Sequence, residues 1–151
     1  MQADTPIAKV MTRKPAIVKP EDTMEAVRKA FEKHGFHHIP VVEKGKLVGL
    51  VSYTDYLQLI RNVFENPQEE RLNEKILHAT VVRDVMTKSV LCLSQQDSVE
   101  TALRIFKANQ FHSLPVVDER QNLVGIVTTY DLMKVLEKVF ISTSDTIENP
   151  G

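Results

Sequence analysis

The sequence predicts an α/β (α+β) fold of two pseudo-symmetric β-α-β-β-α repeats packed sheet to sheet, and three observations lead there. The chain repeats itself, each copy carries a helical apolar period followed by two short β-rich runs, and each copy alone is too small to bury its sheet. Displaced by 75 positions, Val10-Met11-Thr12 falls on Val85-Met86-Thr87, Asp22 and Glu25 on Asp97 and Glu100, and Phe31 on Phe106. Further along, Phe36-His37 with Pro40-Val41-Val42 falls on Phe111-His112 with Pro115-Val116-Val117. One extra residue in the second turn makes the displacement 76, and Leu47-Val48-Gly49, Val51 and Asp55 then meet Leu123-Val124-Gly125, Val127 and Asp131. That is 16 identities in 46 aligned positions, where average composition gives about three by chance. Duplication is the simplest explanation.

Each copy reads element by element. Asp22-x-x-Glu25 and Asp97-x-x-Glu100 carry the capping pattern of a helix start, and Met24, Val27 and Phe31 in one copy, Val99, Leu103 and Phe106 in the other, recur at helical spacing. Gly35 is expected to end the first of these helices, since glycine takes the left-handed conformation without steric cost. Ile39-Pro40-Val41-Val42 and Leu47-Val48-Gly49-Leu50-Val51 flank the polar turn Glu43-Lys44-Gly45-Lys46 and read as a hairpin. Glycine inside such a strand marks a bulge or the close approach of backbone or ligand; for Gly49 and Gly125 both readings stand. A second helix follows Asp55 (Tyr56, Leu57, Leu59, Ile60, Val63), and its twin follows Asp131 (Leu132, Met133, Val135, Leu136, Val139). Short extended pieces near 16–18 and 91–93 complete each copy.

A repeat of about 50 residues with helices on one face of its sheet leaves the other face bare, and pairing the copies covers it. The expected organisation is a first repeat over 5–64, a partly helical connector over 65–79, a second repeat over 80–141 and a flexible tail over 142–151. With 151 residues, 42% hydrophobic and 26% charged, the chain suits one core or two small modules sharing one. A net charge of -1 argues against a surface built to neutralise nucleic-acid phosphates or anionic lipid. The opening MQADTPIAKVMTRKP has no signal-like apolar stretch, and no segment approaches the roughly 20 apolar residues of a bilayer span. The expectation is a cytoplasmic chain with neither nucleic acid nor membrane as partner. The single cysteine, Cys92, sits in an apolar run and reads as a small buried hydrophobe.

Val-Met-Thr at the head of each copy, Phe-His-x-hydrophobic-Pro-Val-Val in its middle, and Gly-Leu-Val-Ser-Tyr-Thr-Asp or Gly-Ile-Val-Thr-Thr-Tyr-Asp at its close resemble the CBS-domain family over roughly residues 5 to 140. The resemblance implies a two-repeat disc, or Bateman module, with two pseudo-equivalent clefts between the repeats. Members commonly bind AMP, ADP or ATP, sometimes S-adenosylmethionine or a cyclic dinucleotide, and are usually regulatory. It also implies a homodimer paired through the helices of each half, and a client protein.

A ribose presents two adjacent hydroxyls, and an ionised carboxylate accepts two hydrogen bonds at once. Asp55 and Asp131 fit that role, and Ser52 and Thr128, three residues earlier, present hydroxyls beside helix amides where phosphate is favoured. Ser-x-x-Asp and Thr-x-x-Asp are also capping boxes, so helix stability alone would account for the same residues. The family resemblance adds His37 and His112 as phosphate contacts, with His38 and Ser113 standing where nucleotide-binding members often carry arginine. This departure weakens the case for a triphosphate, because neither residue offers arginine's fixed fork of donors. Thr12, Thr87, Ile17 and Cys92 match the strand entry that contacts adenine, and Leu50 and Ile126 would wall the ring, though burial in the core explains such apolar residues equally well. The spacing of His34, His37 and His38 is weak evidence for a metal, since the second copy keeps only His112. No Ser-His-Asp arrangement or Gly-rich phosphate loop appears in the sequence. The expected function is therefore a non-enzymatic adenine-nucleotide sensor needing no cofactor besides AMP, ADP or ATP as regulatory ligand. The alternative is a ligand-free interaction module acting through dimerisation or partner docking.

Overall fold

The computed structural model of the chain describes residues 2–35, 37–60, 67–109 and 111–147. In chain order it contains β1 (Thr12–Arg13), α1 (Met24–His34), β2 (His38–Glu43), β3 (Lys46–Ser52), α2 (Tyr53–Leu59), α3 (Pro67–Ala79), β4 (Leu93–Ser94), α4 (Val99–Asn109), β5 (Ser113–Val117), β6 (Leu123–Thr128) and α5 (Thr129–Ile147). The mixed α/β architecture read from the sequence is present. The connector is a helix from Pro67, and the segment expected as a flexible tail continues α5 to Ile147; Val63 and residues 148–151 lie outside the described residues.

The chain forms two compact units, one of Met1–Lys14 with Leu91–Gly151 and one of Pro15–Val90. These differ from the sequence repeats: the head of each repeat is built into the unit formed by the body of the other. In the first unit the sheet order is β1-β6-β5-β4, with β4 parallel to β5 and the other pairs antiparallel. In the second, β2 and β3 form the expected hairpin, Val18 lies parallel to Val41, and Thr87 pairs antiparallel with Leu50. Thr87 and Leu50 exchange main-chain hydrogen bonds of 2.9 and 3.0 Å. The second unit thus repeats, with single bridges, the arrangement that the first builds from β1 and β4.

The heads carry apolar anchors as well as backbone pairing. Ile7 and Val82, 75 positions apart, are fully buried in their respective cores. Burying side chains of this size contributes about 1.5–3 kcal/mol each. Their amides donate to the carbonyls of Asp97 (2.7 Å) and Asp22 (2.8 Å). The side chains of these two aspartates correct the capping expectation. The Asp22 and Asp97 carboxylates accept from the amides of Lys19 and Ser94, closing the turns on which the heads sit, and do not cap helices. Thr23 precedes α1 without a side-chain cap, and the Thr101 amide donates to Ser98 at the start of α4. Glu25 instead receives Arg28, whose fork of donors holds the carboxyl below its usual range, and Glu100 receives Arg104.

Most of the apolar helical pattern is buried as expected, through Met24, Val27, Phe31, Val99 and Phe106. Leu103 is an exception, being half exposed while Ala102 takes the core position. Gly35 ends α1 at φ 67, its amide returning to the Phe31 carbonyl. Both readings of the strand glycines hold. A bulge adjoins each on its own strand: Val41 pairs with Gly49 and Val42 with Leu47, and Val116 pairs with Gly125 and Val117 with Leu123, leaving Val48 and Val124 as the extra residues. The heads also pass directly over them: a Cβ on Gly49 would lie 2.6 Å from Met86 Sδ and 3.0 Å from the Thr87 carbonyl, and one on Gly125 2.7 Å from Met11 Sδ and 2.9 Å from the Thr12 carbonyl. The thioethers can swing aside, but the carbonyls belong to paired backbone. Gly49→Ala and Gly125→Ala are therefore each expected to cost about 1–3 kcal/mol in urea unfolding. Faster amide exchange should appear at Thr87 in the first variant and at Thr12 and Arg13 in the second.

Candidate functional site

The head exchange sorts the candidate residues into two sets, one per unit. The first unit holds Thr12, Cys92, His112, Ser113, Ile126, Thr128 and Asp131; the second holds Ile17, His37, His38, Leu50, Ser52, Asp55 and Thr87. In each, the hairpin's second strand runs straight into a helix, so the Ser/Thr-x-x-Asp segment sits at that junction.

The capping reading is realised in both. The Asp55 amide donates to Ser52 Oγ (3.0 Å) and the Ser52 amide to Asp55 Oδ2 (2.9 Å). Likewise the Asp131 amide donates to Thr128 Oγ1 (3.1 Å) and the Thr128 amide to Asp131 Oδ2 (2.9 Å). The capping bond uses one carboxylate oxygen and leaves the other to meet a further donor.

At that second oxygen the two sets differ. Pairing of β1 with β6 places Thr12 opposite Ile126, and the Thr12 hydroxyl donates to Asp131 Oδ1 at 3.1 Å. Asp131 is 6% exposed. Thr87 occupies the equivalent place over Leu50, yet among the described residues no hydrogen bond joins its hydroxyl to Asp55, and Asp55 Oδ1 accepts none. Asp55 is also the more accessible of the two.

His37 and His112 stand one strand away. Their carbonyls accept from the Tyr53 (2.7 Å) and Thr129 (3.0 Å) amides, fixing strand to helix, while both imidazoles are exposed. The His37 ring meets Tyr53 edge-on at 5.7 Å. Ser113 pairs across the sheet with Thr128, so their side chains share a face. It is 8% exposed, and its Oγ has no hydrogen-bond partner among the described residues. A buried hydroxyl without a partner costs about 1–3 kcal/mol, which a ligand oxygen or ordered water would recover. His38 is half-buried at the head of β2. Ile126 is a core residue and Leu50 half-buried, whereas Ile17 is 48% exposed, too much for the core reading. Cys92 is also half-buried, and that burial pushes its thiol up.

The sequence supplied both carboxylates, both hydroxyls and Thr12, but not the hydrogen bond from Thr12 to Asp131. It could not, because the residues are 119 positions apart and belong to different repeats. At Ser113 the sequence shows only that an arginine is missing, and nothing local signals a buried hydroxyl without a partner among the described residues.

The family model described as CBS domain matches residues 7–62 and 82–138. Among curated proteins, an uncharacterized protein of Methanocaldococcus jannaschii is 31% identical, over 86% of this chain and 90% of the relative. The inosine-5'-monophosphate dehydrogenase of the same archaeon is 31% identical over 78% of this chain. The chain spans only 21% of that dehydrogenase, and 44% of another M. jannaschii protein that is 27% identical to it. Among solved structures, the CBS-pair protein CBSX2 of Arabidopsis thaliana superposes with a TM-score of 0.77 at 26% identity, covering 89% of this chain and 95% of that one. A structure of CBSX2 in complex with AMP gives 0.74 at 28%, covering 89% and 97%.

Losing a cap and losing a cap that also anchors a buried carboxylate should differ. Ser52→Ala is expected to cost about 1 kcal/mol in urea unfolding. Thr128→Ala should cost about 1–3 kcal/mol, because besides the cap it removes the hydroxyl that donates to the buried Asp131.

Proposed function

The chain belongs to the CBS-domain family, and on that premise we propose that it is a regulatory module without catalytic activity that binds an adenosine-containing nucleotide of the AMP, ADP or ATP type. The observation that carries the proposal is the second oxygen of each Ser/Thr-x-x-Asp carboxylate. The caps need only one oxygen, and at Asp55 the other is open to a ribose hydroxyl. The AMP complex of CBSX2 supports an adenosine ligand on this fold. Ser113 and His38 in place of arginine favour a monophosphate over a triphosphate, since charge-assisted forks to the terminal phosphates are missing. Binding would stabilise the liganded state and shift the equilibrium of whatever the module holds, with differential affinity as the only source of energy.

Isothermal titration with AMP, ADP and ATP tests this directly. The expected order is AMP tighter than ATP, with binding lost in the Asp55→Ala, Asp131→Ala double variant while its far-ultraviolet spectrum stays that of the folded parent. Absence of heat from all three nucleotides at millimolar concentration, with folded parent, would remove the nucleotide reading and leave the interaction module.

We also propose that the chain forms a homodimer through α5. Tyr130, Met133, Leu136 and Phe140 are 56 to 64% exposed and recur every three or four residues along the helix. Beside the start of α5, an open hollow of about 510 Å³ is lined by Leu103, Phe106, Lys107, Phe111, His112 and Thr129. A run of large apolar side chains this long is unusual on a monomer's surface, and a second α5 is its natural cover because the two faces would be identical. Sedimentation velocity is expected to give a dimer for the parent and a monomer for the Met133→Glu, Phe140→Glu variant. A parent that sediments as a monomer at micromolar concentration refutes the pairing.

A further inference from the structure

The two carboxylates are chemically the same and derive from one ancestral repeat, yet they stand in different states. Asp55 offers an oxygen to incoming donors. Asp131 has both oxygens engaged, Oδ2 by the Thr128 amide and hydroxyl at 2.9 and 3.1 Å and Oδ1 by the Thr12 hydroxyl at 3.1 Å. We propose that Thr12 is an internal competitor for the ribose position of the Asp131 set, so that the Asp55 set binds first and the Asp131 set binds more weakly because the Thr12 hydroxyl occupies part of the acceptor capacity of Oδ1.

The inference rests on the nucleotide reading above and adds to it an order of occupancy. A ribose hydroxyl and the Thr12 hydroxyl are donors of the same strength, so exchanging one for the other at Oδ1 gains little. The ligand contact made at Asp131 is therefore offset by the contact broken. At Asp55 no equivalent bond is broken, because among the described residues the Thr87 hydroxyl makes no hydrogen bond to the carboxylate. The buried, unpartnered Ser113 Oγ shares a face with Thr128 and supplies what can still draw a ligand to the Asp131 set, since its pairing is gained outright. The Thr12 hydroxyl is held by the short β1 strand, whose two residues pair only with β6. Anything that lifts β1 from β6 releases Asp131, so the second set is coupled to the docking of the chain's head.

The test is AMP titration of the Asp55→Ala variant, which isolates the Asp131 set, with and without Thr12→Val, an isosteric change that deletes the hydroxyl. Thr12→Val is expected to tighten AMP binding in that background about threefold to tenfold, the worth of one ordinary hydrogen bond, and Thr12→Ser should restore parental affinity. In parallel, Thr12→Val in the chain with Asp55 intact should lower the melting temperature without ligand and enlarge the shift on adding AMP. Should Asp55→Ala fold poorly, the weaker phase of the two-site isotherm in the Thr12→Val single variant gives the same readout. Unchanged or weakened binding on losing the hydroxyl overturns the competitor role, while parental AMP binding leaves the nucleotide reading standing. A folded parent that binds no AMP at all removes that reading and this inference with it.

Discussion

The pairing of each head with the hairpin of the other repeat is the constraint from which the rest follows. Two main-chain hydrogen bonds between Leu50 and Thr87, and the pairing of Thr12 and Arg13 with β6, are few. They are backed by Ile7 and Val82, each wholly buried, and by Met11 and Met86 lying over the two strand glycines. The glycines are notches through which backbone passes over backbone, and a bulge adjoins each of them on the same strand. Once the heads are seated, Asp22 and Asp97 are committed to turn closure and Glu25 is left for Arg28. The reading of those acidic residues as caps failed because other partners three residues away, the amides of Lys19 and Ser94 and the Arg28 guanidinium, take their carboxylates.

Much of the fold was legible because duplication makes every signal appear twice. The hairpins, the cap at Gly35 and the buried faces of α1 and α4 follow from periodicity and turn chemistry that act over a few residues. What could not be read was which copy each head joins. Val-Met-Thr occurs identically at both heads, so docking a head on its own repeat or on the other satisfies the same pattern. The sequence separation between Thr12 and Asp131 hides the contact that most distinguishes the two sets. Leu103 and the apolar residues of α5 mark a second kind of failure, in which helical spacing identifies an apolar face but not whether the same chain covers it.

The exchange also has a consequence for folding. The unit of Pro15–Val90 is contiguous in sequence, whereas the other requires Met1–Lys14 to return to a body that begins only at Leu91. Closing the longer loop costs only a little more entropy than closing a shorter one. The head that bears Thr12 is thus held in its unit by non-local contacts, through the two-residue β1 and the buried Ile7 and Met11.

That non-local piece is the one that engages Asp131. A capping box by itself is a static device, since its two hydrogen bonds are local and form with the helix. Thr128 and Asp131 become something more only because the remaining carboxylate oxygen is shared with a residue from the far end of the sequence. Asp55 has an equivalent cap and an equivalent threonine overhead, and lacks the hydrogen bond from that threonine among the described residues. The difference between the sets therefore lies in the seating of a strand and not in the identity of the chemical groups. Duplicated sequences of this kind can diverge in function without changing any of the residues that define the repeat.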